Sequence, residues 1–220
     1  MMRSIEMIGE RNPLPDLGDE HSSMLLVRKN GDLGKLILCQ YDSTYPKIDY
    51  RLRVNLIGGA EEKGDKNPKH TLERELNEEI SFAEGNFAPE GFINSLREEV
   101  IRQVRYYGTF ESFFLSYPNG LKRNYASIDT VYISDIDKEI FKKAEDFLRI
   151  GKSLVSEGSI GTFSLEGIRE GDPLTAWDTG KIISDIYSVP IPNPDNVFCR
   201  RLKIGELEDY EKMRQLFSFK

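Results

Sequence analysis

Leu72, Leu76 and Ile80 recur every four residues, and Glu75, Glu78 and Glu79 stand among them. This pattern is that of a helix with one apolar stripe for packing and an adjacent acidic face. With Glu75 at zero on an ideal helix, Glu78 falls at about 300 degrees and Glu79 at about 40 degrees, a sector roughly 100 degrees wide. Like charges at these offsets repel. A solvated helix face tolerates that cost, whereas a divalent cation turns the repulsion into coordination, because magnesium and manganese favour hard oxygen donors. Periodicity is satisfied by both readings. Asn67 can cap the first turn and Pro68 suits the first helical position, which predicts a helix over about 68–80. Arg74 opens the acidic run and can orient a carboxylate through paired donors.

Elements on either side supply a context for this helix. Ser23–Arg28 and Lys35–Gln40 are dense in apolar residues around a glycine-containing turn, which predicts a hairpin after an irregular approach over 9–22. Arg53–Ile57 reads as a short strand running into Gly58-Gly59. A helix is expected over about 90–103. Strands are expected over 105–116 and 124–134, joined by the turn-rich link 117–123 into an antiparallel hairpin. Further on come a helix over 137–150, a strand or extended loop over 161–167, a helix over 174–186, a proline-marked connector, and a terminal helix over about 205–217.

The order of segments is the sharper signal. Gly58-Gly59, then Gly64-Asp65, then Asn67-Pro68 and Arg74-Glu75-Leu76-Asn77-Glu78-Glu79 through Phe82 resembles the Nudix hydrolase signature, a loop-helix-loop that binds divalent cations and positions a diphosphate. The resemblance implies an α/β fold, a Nudix-like α/β/α sandwich with a mixed sheet. It also implies hydrolysis of a diphosphate linkage in a nucleoside diphosphate derivative. By resemblance Glu75, Glu78 and Glu79 hold Mg2+ or Mn2+, Arg74 orients them as part of the catalytic set, and Gly58, Gly59, Gly64 and Asp65 form the substrate-positioning loop. The chain departs from the family pattern at four places. Asp65 stands where glutamate is usual, Ser81 where glycine is usual and Ile57 where proline is common, and one extra residue separates Gly59 from Arg74. A non-catalytic Nudix-like nucleotide-binding or regulatory domain is the alternative.

Composition bounds the rest. The 220 residues carry a net charge of -7, which gives no general electrostatic footprint for nucleic acid. Apolar residues make up 39% and charged residues 30%, as in a soluble globular protein, and a single domain over 1–220 is the simplest organisation. No stretch is long and apolar enough to span a bilayer, so a cytoplasmic location with no membrane partner is expected. Cys39 and Cys199 are read as a buried small residue and an incidental thiol. The expected partner is a small phosphorylated nucleotide derivative, and the family's frequent dimers make a homodimer an option.

Several residues stay open. Glu111, Glu139, Glu145, Glu157 and Glu166 are candidates for a further ligand or base, each with an ordinary solvated carboxylate as its competing reading. His70 in the first helical turn is read as a surface or capping residue and His21 carries little signal. Tyr106, Tyr107, Phe110, Phe113 and Phe114 are read mainly as strand packing, with base stacking as the other option. Lys122 and Arg123 read as an exposed turn or a phosphate contact, and Trp177 beside Asp178 as a staple of the following helix or a pocket wall.

Overall fold

The computed structural model describes residues 20–81, 89–116, 123–148, 159–194, 197–206 and 208. Strands β1 (Glu20–Lys29) and β2 (Asp32–Gln40) pair antiparallel around Gly31, as the hairpin reading expects. Both extend beyond the expected limits, and β1 takes in residues 20–22 of the segment read as irregular; 9–19 lie outside the described residues. The apolar run in β1 does not alternate with polar residues because both faces of the strand are covered. Leu25 and Val27 enter one core cluster and Leu26 the other.

The described strands make one mixed eight-stranded sheet. Where β1 and β2 diverge, the 54–60 run is inserted: β3 (Val54–Asn55) pairs with the end of β2 and β4 (Ile57–Ala60) with the start of β1. On its other edge β1 runs parallel to β6 (Arg123–Ile136), which pairs antiparallel with β5 (Val104–Ser116) as predicted. β7 (Ser159–Ser164) flanks β2, and β8 (Val197–Arg201) closes the far edge against β5. The sheet order is β3-β2-β1-β6-β5-β8, with β4 on β1 and β7 on β2.

Helices cover both faces, so the α/β/α sandwich is the observed architecture. α1 (Pro68–Ser81), α2 (Glu90–Gln103) and α3 (Lys138–Phe147) pack on one side through Leu72, Leu76, Ile80, Leu96, Val100 and Phe141. Burying each of the α1 side chains contributes roughly 1.5–3 kcal/mol. α4 (Leu165–Glu170) and α5 (Thr179–Tyr187) cover the other side through Ile168, Ile182 and Ile183. α1 starts where predicted: the Asn67 side chain accepts from the His70 N–H at 3.0 Å.

Four expectations are corrected. Residues 161–167 are not one extended segment, because Ser164 accepts from the Gly167 N–H and starts α4 at Leu165. The helix expected over 174–186 begins only at Thr179. Val54 donates to the Leu174 carbonyl and accepts from the Ala176 N–H, so the chain is held as a bridge to β3, and Trp177 has a positive φ of 49°. Ladder pairing outweighs local helix propensity here. α3 is shorter than 137–150, with Asp137 as its cap and Leu148 at its end. β8 was not expected at all. Of the terminal helix, Ile204–Glu206 and residue 208 are helical, and the rest lies outside the described residues, as does 117–122 of the link.

Candidate functional site

The acidic helix meets the sheet at two glycines. Gly58 and Gly59 belong to strand β4 rather than to the loop, opposite Met24 and Ser23 of β1. Gly58 has φ 137°, and a Cβ there would lie 2.0 Å from the Ser23 carbonyl oxygen. Its N–H donates to Glu79 Oε2 at 2.9 Å. A Cβ on Gly59 would lie 2.4 Å from Glu75 Oε1, so this glycine clears the space in which that carboxylate sits. Gly64 is different: nothing approaches its Cβ position within 4 Å.

Arg74 is the hub of the cluster. Its Nη1 donates to Glu75 Oε1 at 2.8 Å and to Glu78 Oε2 at 3.4 Å. Its Nη2 donates to the Ala60 carbonyl at 2.7 Å and to Asp65 Oδ2 at 3.2 Å, and Nε reaches the same Asp65 oxygen at 3.3 Å. Glu62 adds an ion pair at 3.5 Å. Burial works against the guanidinium charge, but the hydrogen bond to Asp65 and the charge of Glu75 outweigh it and raise its pKa. A planar fork is needed to serve acceptors in this spread.

Asp65 thereby ties the loop to the helix. Its side chain is 3% exposed and accepts from the Glu62 N–H at 3.0 Å. That backbone bond holds its pKa below the ordinary aspartate value, against burial and with help from Arg74. Because the folded-state pKa is depressed, the stability it brings is present above the unfolded value of about 3.9 and is lost as pH falls through the folded value. Thermal melts of the parent should therefore drop on acidification below about pH 4, and Asp65→Asn should remove that part of the drop. Superimposable acid limbs for the two proteins would refute it.

The three glutamates have different surroundings. Glu75 is buried, Glu79 is half-buried against Gly58, and Glu78 is exposed. Arg74 brings Glu75 and Glu78 to one nitrogen, while Glu79 is held by β4. Among the described residues no three His, Cys, Asp or Glu side chains are grouped as metal ligands. Ser81 ends α1, and Phe82 lies outside the described residues.

The open candidates fall elsewhere. Glu111 pairs with Arg200, Glu145 with Lys35 and Glu166 with Arg169; Glu139 lies in the first turn of α3, and Glu157 and Lys122 are outside the described residues. His70 is exposed, with Nδ1 3.6 Å from Asp65 Oδ1, and His21 is buried in β1. Phe110 and Phe114 are core residues, whereas Tyr106 is exposed. Cys39 is buried and Cys199 is half-buried, and neither is in a disulfide.

Sequence reasoning missed a polar and aromatic network beside this site. Trp177 Nε1 and Asn55 Nδ2 both donate to the Tyr41 hydroxyl, at 2.9 and 3.0 Å, and Thr179 donates to Asn55 Oδ1. Trp177 also packs on Tyr50 and Phe114, with Lys47 Nζ 3.8 Å from its ring centroid. It thus staples β2, β3 and the start of α5 together. These residues are far apart in sequence, and no spacing rule links them.

No family model and no curated protein sequence matches the chain. Solved structures do. The NUDIX domain of Shewanella oneidensis NrtR, complexed with ADP ribose, is similar at 14% identity with a TM-score of 0.47, over 85% of this chain and 98% of that one. A NUDIX hydrolase from Alicyclobacillus acidocaldarius is similar at 13% identity and TM-score 0.44, over 80% of this chain and 94% of that one. A C. elegans Ap4A hydrolase binary complex is similar at 11% identity and TM-score 0.42, over 77% and 96%.

Proposed function

We propose that this chain is a Nudix-like pyrophosphohydrolase that cleaves a diphosphate linkage in a nucleoside diphosphate derivative with the help of Mg2+ or Mn2+. The observation that carries the reading is the Arg74 hub: one guanidinium gathers Glu75, Glu78 and Asp65 and ties them to the Ala60 carbonyl. The donor set fits a hard divalent cation, since Glu75, Glu78 and Glu79 offer only carboxylate oxygens. When bound, the ion supplies charge neutralisation at the diphosphate and a lowered pKa for water.

The chain's own residues do the rest. Glu75, Glu78 and Glu79 would hold the ion, and one of the three accepts the proton of the attacking water. Arg74 positions Glu75 and Glu78, and the Gly58 N–H aims Glu79. Gly59 makes room for Glu75, while Asp65 and Gly64 shape the loop that faces the substrate. A single domain over 1–220, a cytoplasmic location and a homodimer belong to the same proposal.

The second reading is a non-catalytic nucleotide-binding domain. It is favoured by one observation: Arg74 already neutralises Glu75 and Glu78. A panel of nucleotide sugars, ADP-ribose, dinucleoside polyphosphates and damaged nucleotides, assayed with and without Mg2+ or Mn2+, separates the two. The expected result is metal-dependent product formation that falls about 10²–10⁴-fold in Glu78→Gln and Glu79→Gln, the scale of a lost acid–base or charge-stabilising group. Tight binding without turnover across the panel would reject the enzyme in favour of the binding domain.

A further inference from the structure

A second acidic feature lies on the opposite face of the sheet and plays no part in the proposed chemistry. Ser22 of β1 pairs with Asp129 of β6, Ser127 of β6 with Ser112 of β5, and Ser112 with Cys199 of β8. By the alternation of strand side chains these residues share the face of Leu26, Val131 and Ile133, which α5 covers. Asp178, the residue before α5, comes down onto them. Asp129 is 1% exposed and Asp178 is fully buried.

Serines satisfy half of the carboxyl oxygens. Ser22 and Ser127 both donate to Asp129 Oδ1, the latter at 2.6 Å, and Ser112 donates to Asp178 Oδ2 at 2.5 Å. Asp129 Oδ2 and Asp178 Oδ1 receive no such donor. Among the described residues no lysine, arginine or histidine forms an ion pair with either carboxyl. Two adjacent buried charges with no cation are strongly disfavoured, and one proton removes a charge and supplies the missing donor at once.

We propose that Asp178 keeps its proton beside Asp129 and so forms a pH-sensitive latch that fastens the start of α5 to strands β5 and β6. The proton is placed on Asp178, whose Oδ1 is the carboxyl oxygen that Ser112 leaves without a donor. Burial raises the Asp178 pKa well above the ordinary value, the charge of Asp129 raises it further, and the Ser112 hydrogen bond only partly opposes them. The groups around the pair do not reverse this. Glu20 of β1 and Cys199 of β8 are within electrostatic reach of Asp129, Asp185 of α5 is within reach of Cys199, and Lys47 acts on Glu20.

The sign follows from linkage. A carboxyl whose folded-state pKa is raised binds its proton in the native state after the unfolded chain has released it. Stability therefore falls as pH rises from the unfolded value of about 3.9 to the folded value. One proton corresponds to a loss of roughly 3–5 °C in melting temperature per pH unit within that window. Asp178→Asn replaces the titratable donor by a permanent N–H while its carbonyl can still accept from Ser112.

Melting temperatures of the intact parent and Asp178→Asn, followed between pH 5 and 9 by emission of Trp177, test the latch. Trp177 is the sole tryptophan in the chain and adjoins Asp178. The parent should lose stability with rising pH relative to the variant, so that the two curves converge or cross; parallel curves would overturn the proposal. Infrared spectra of the parent alone provide a second measurement that does not depend on the variant folding. A protonated-carboxyl band should persist at neutral pH, and its absence would equally overturn the latch.

Discussion

Gly58→Ala should lower the melting temperature by on the order of 10 °C, whereas Gly64→Ala should leave it within a degree or two. At Gly58 the φ of 137° is one that L residues rarely adopt, and the new methyl would stand 2.0 Å from the Ser23 carbonyl oxygen. The obstacle is backbone, so relief requires β4 to move away from β1 and give up their pairing. Backbone strain and overpacking together come to about 3–5 kcal/mol. The same movement would withdraw the Gly58 N–H from Glu79, so any hydrolytic activity should fall with stability. Gly64 has open space at its Cβ position and serves as the control. Equal melting temperatures for Gly58→Ala and the parent would contradict the strand geometry.

Arg74→Ala is expected to destabilise the protein by about 2–4 kcal/mol, at the lower end of the buried-pair range because the guanidinium is partly exposed. The loss comes chiefly from what is left behind. Asp65 and Glu75, with side chains 3% and 10% exposed, would keep their charges without the cation that balances them. Arg74→Lys should recover only part of the loss, because an ammonium cannot serve the Ala60 carbonyl, Asp65 and Glu75 together. A double-mutant cycle with Asp65→Ala would isolate the loop-to-helix coupling, and an interaction energy near zero would remove Arg74 from its proposed role as hub. In the activity assay Arg74→Lys should reduce turnover more than binding, since its task is to position the glutamates.

Asp65 shows how a local substitution and a tertiary contact interact. By sequence it is a shortened version of the glutamate usual in the signature. In the structure its carboxylate lies between the Glu62 N–H and the Arg74 guanidinium, so the shorter side chain has a partner within reach. Nothing in the spacing of the loop specifies that bond, which depends on how the loop folds back over β4.

What the sequence by itself determined is whatever depends on neighbours a few residues away. The Leu72-Leu76-Ile80 stripe with its Asn67 cap placed α1 within one residue of its observed end, and turn chemistry with dense apolar runs located both hairpins. The glycine pair followed by Arg74-Glu75 marked the segment in which helix and sheet meet.

Tertiary structure alone decided the rest, because these features rest on contacts between residues distant in sequence. Pairing with β3 held 174–178 out of the helix that local propensity favoured, and the open edge of β5 recruited Val197–Arg201 as a strand. Identical glutamates acquired different environments according to whether a glycine, an arginine or solvent lay opposite. Asp129 and Asp178, far apart in the chain and unremarkable in composition, became a buried pair because the register of β6 and the docking of α5 bring them together away from water.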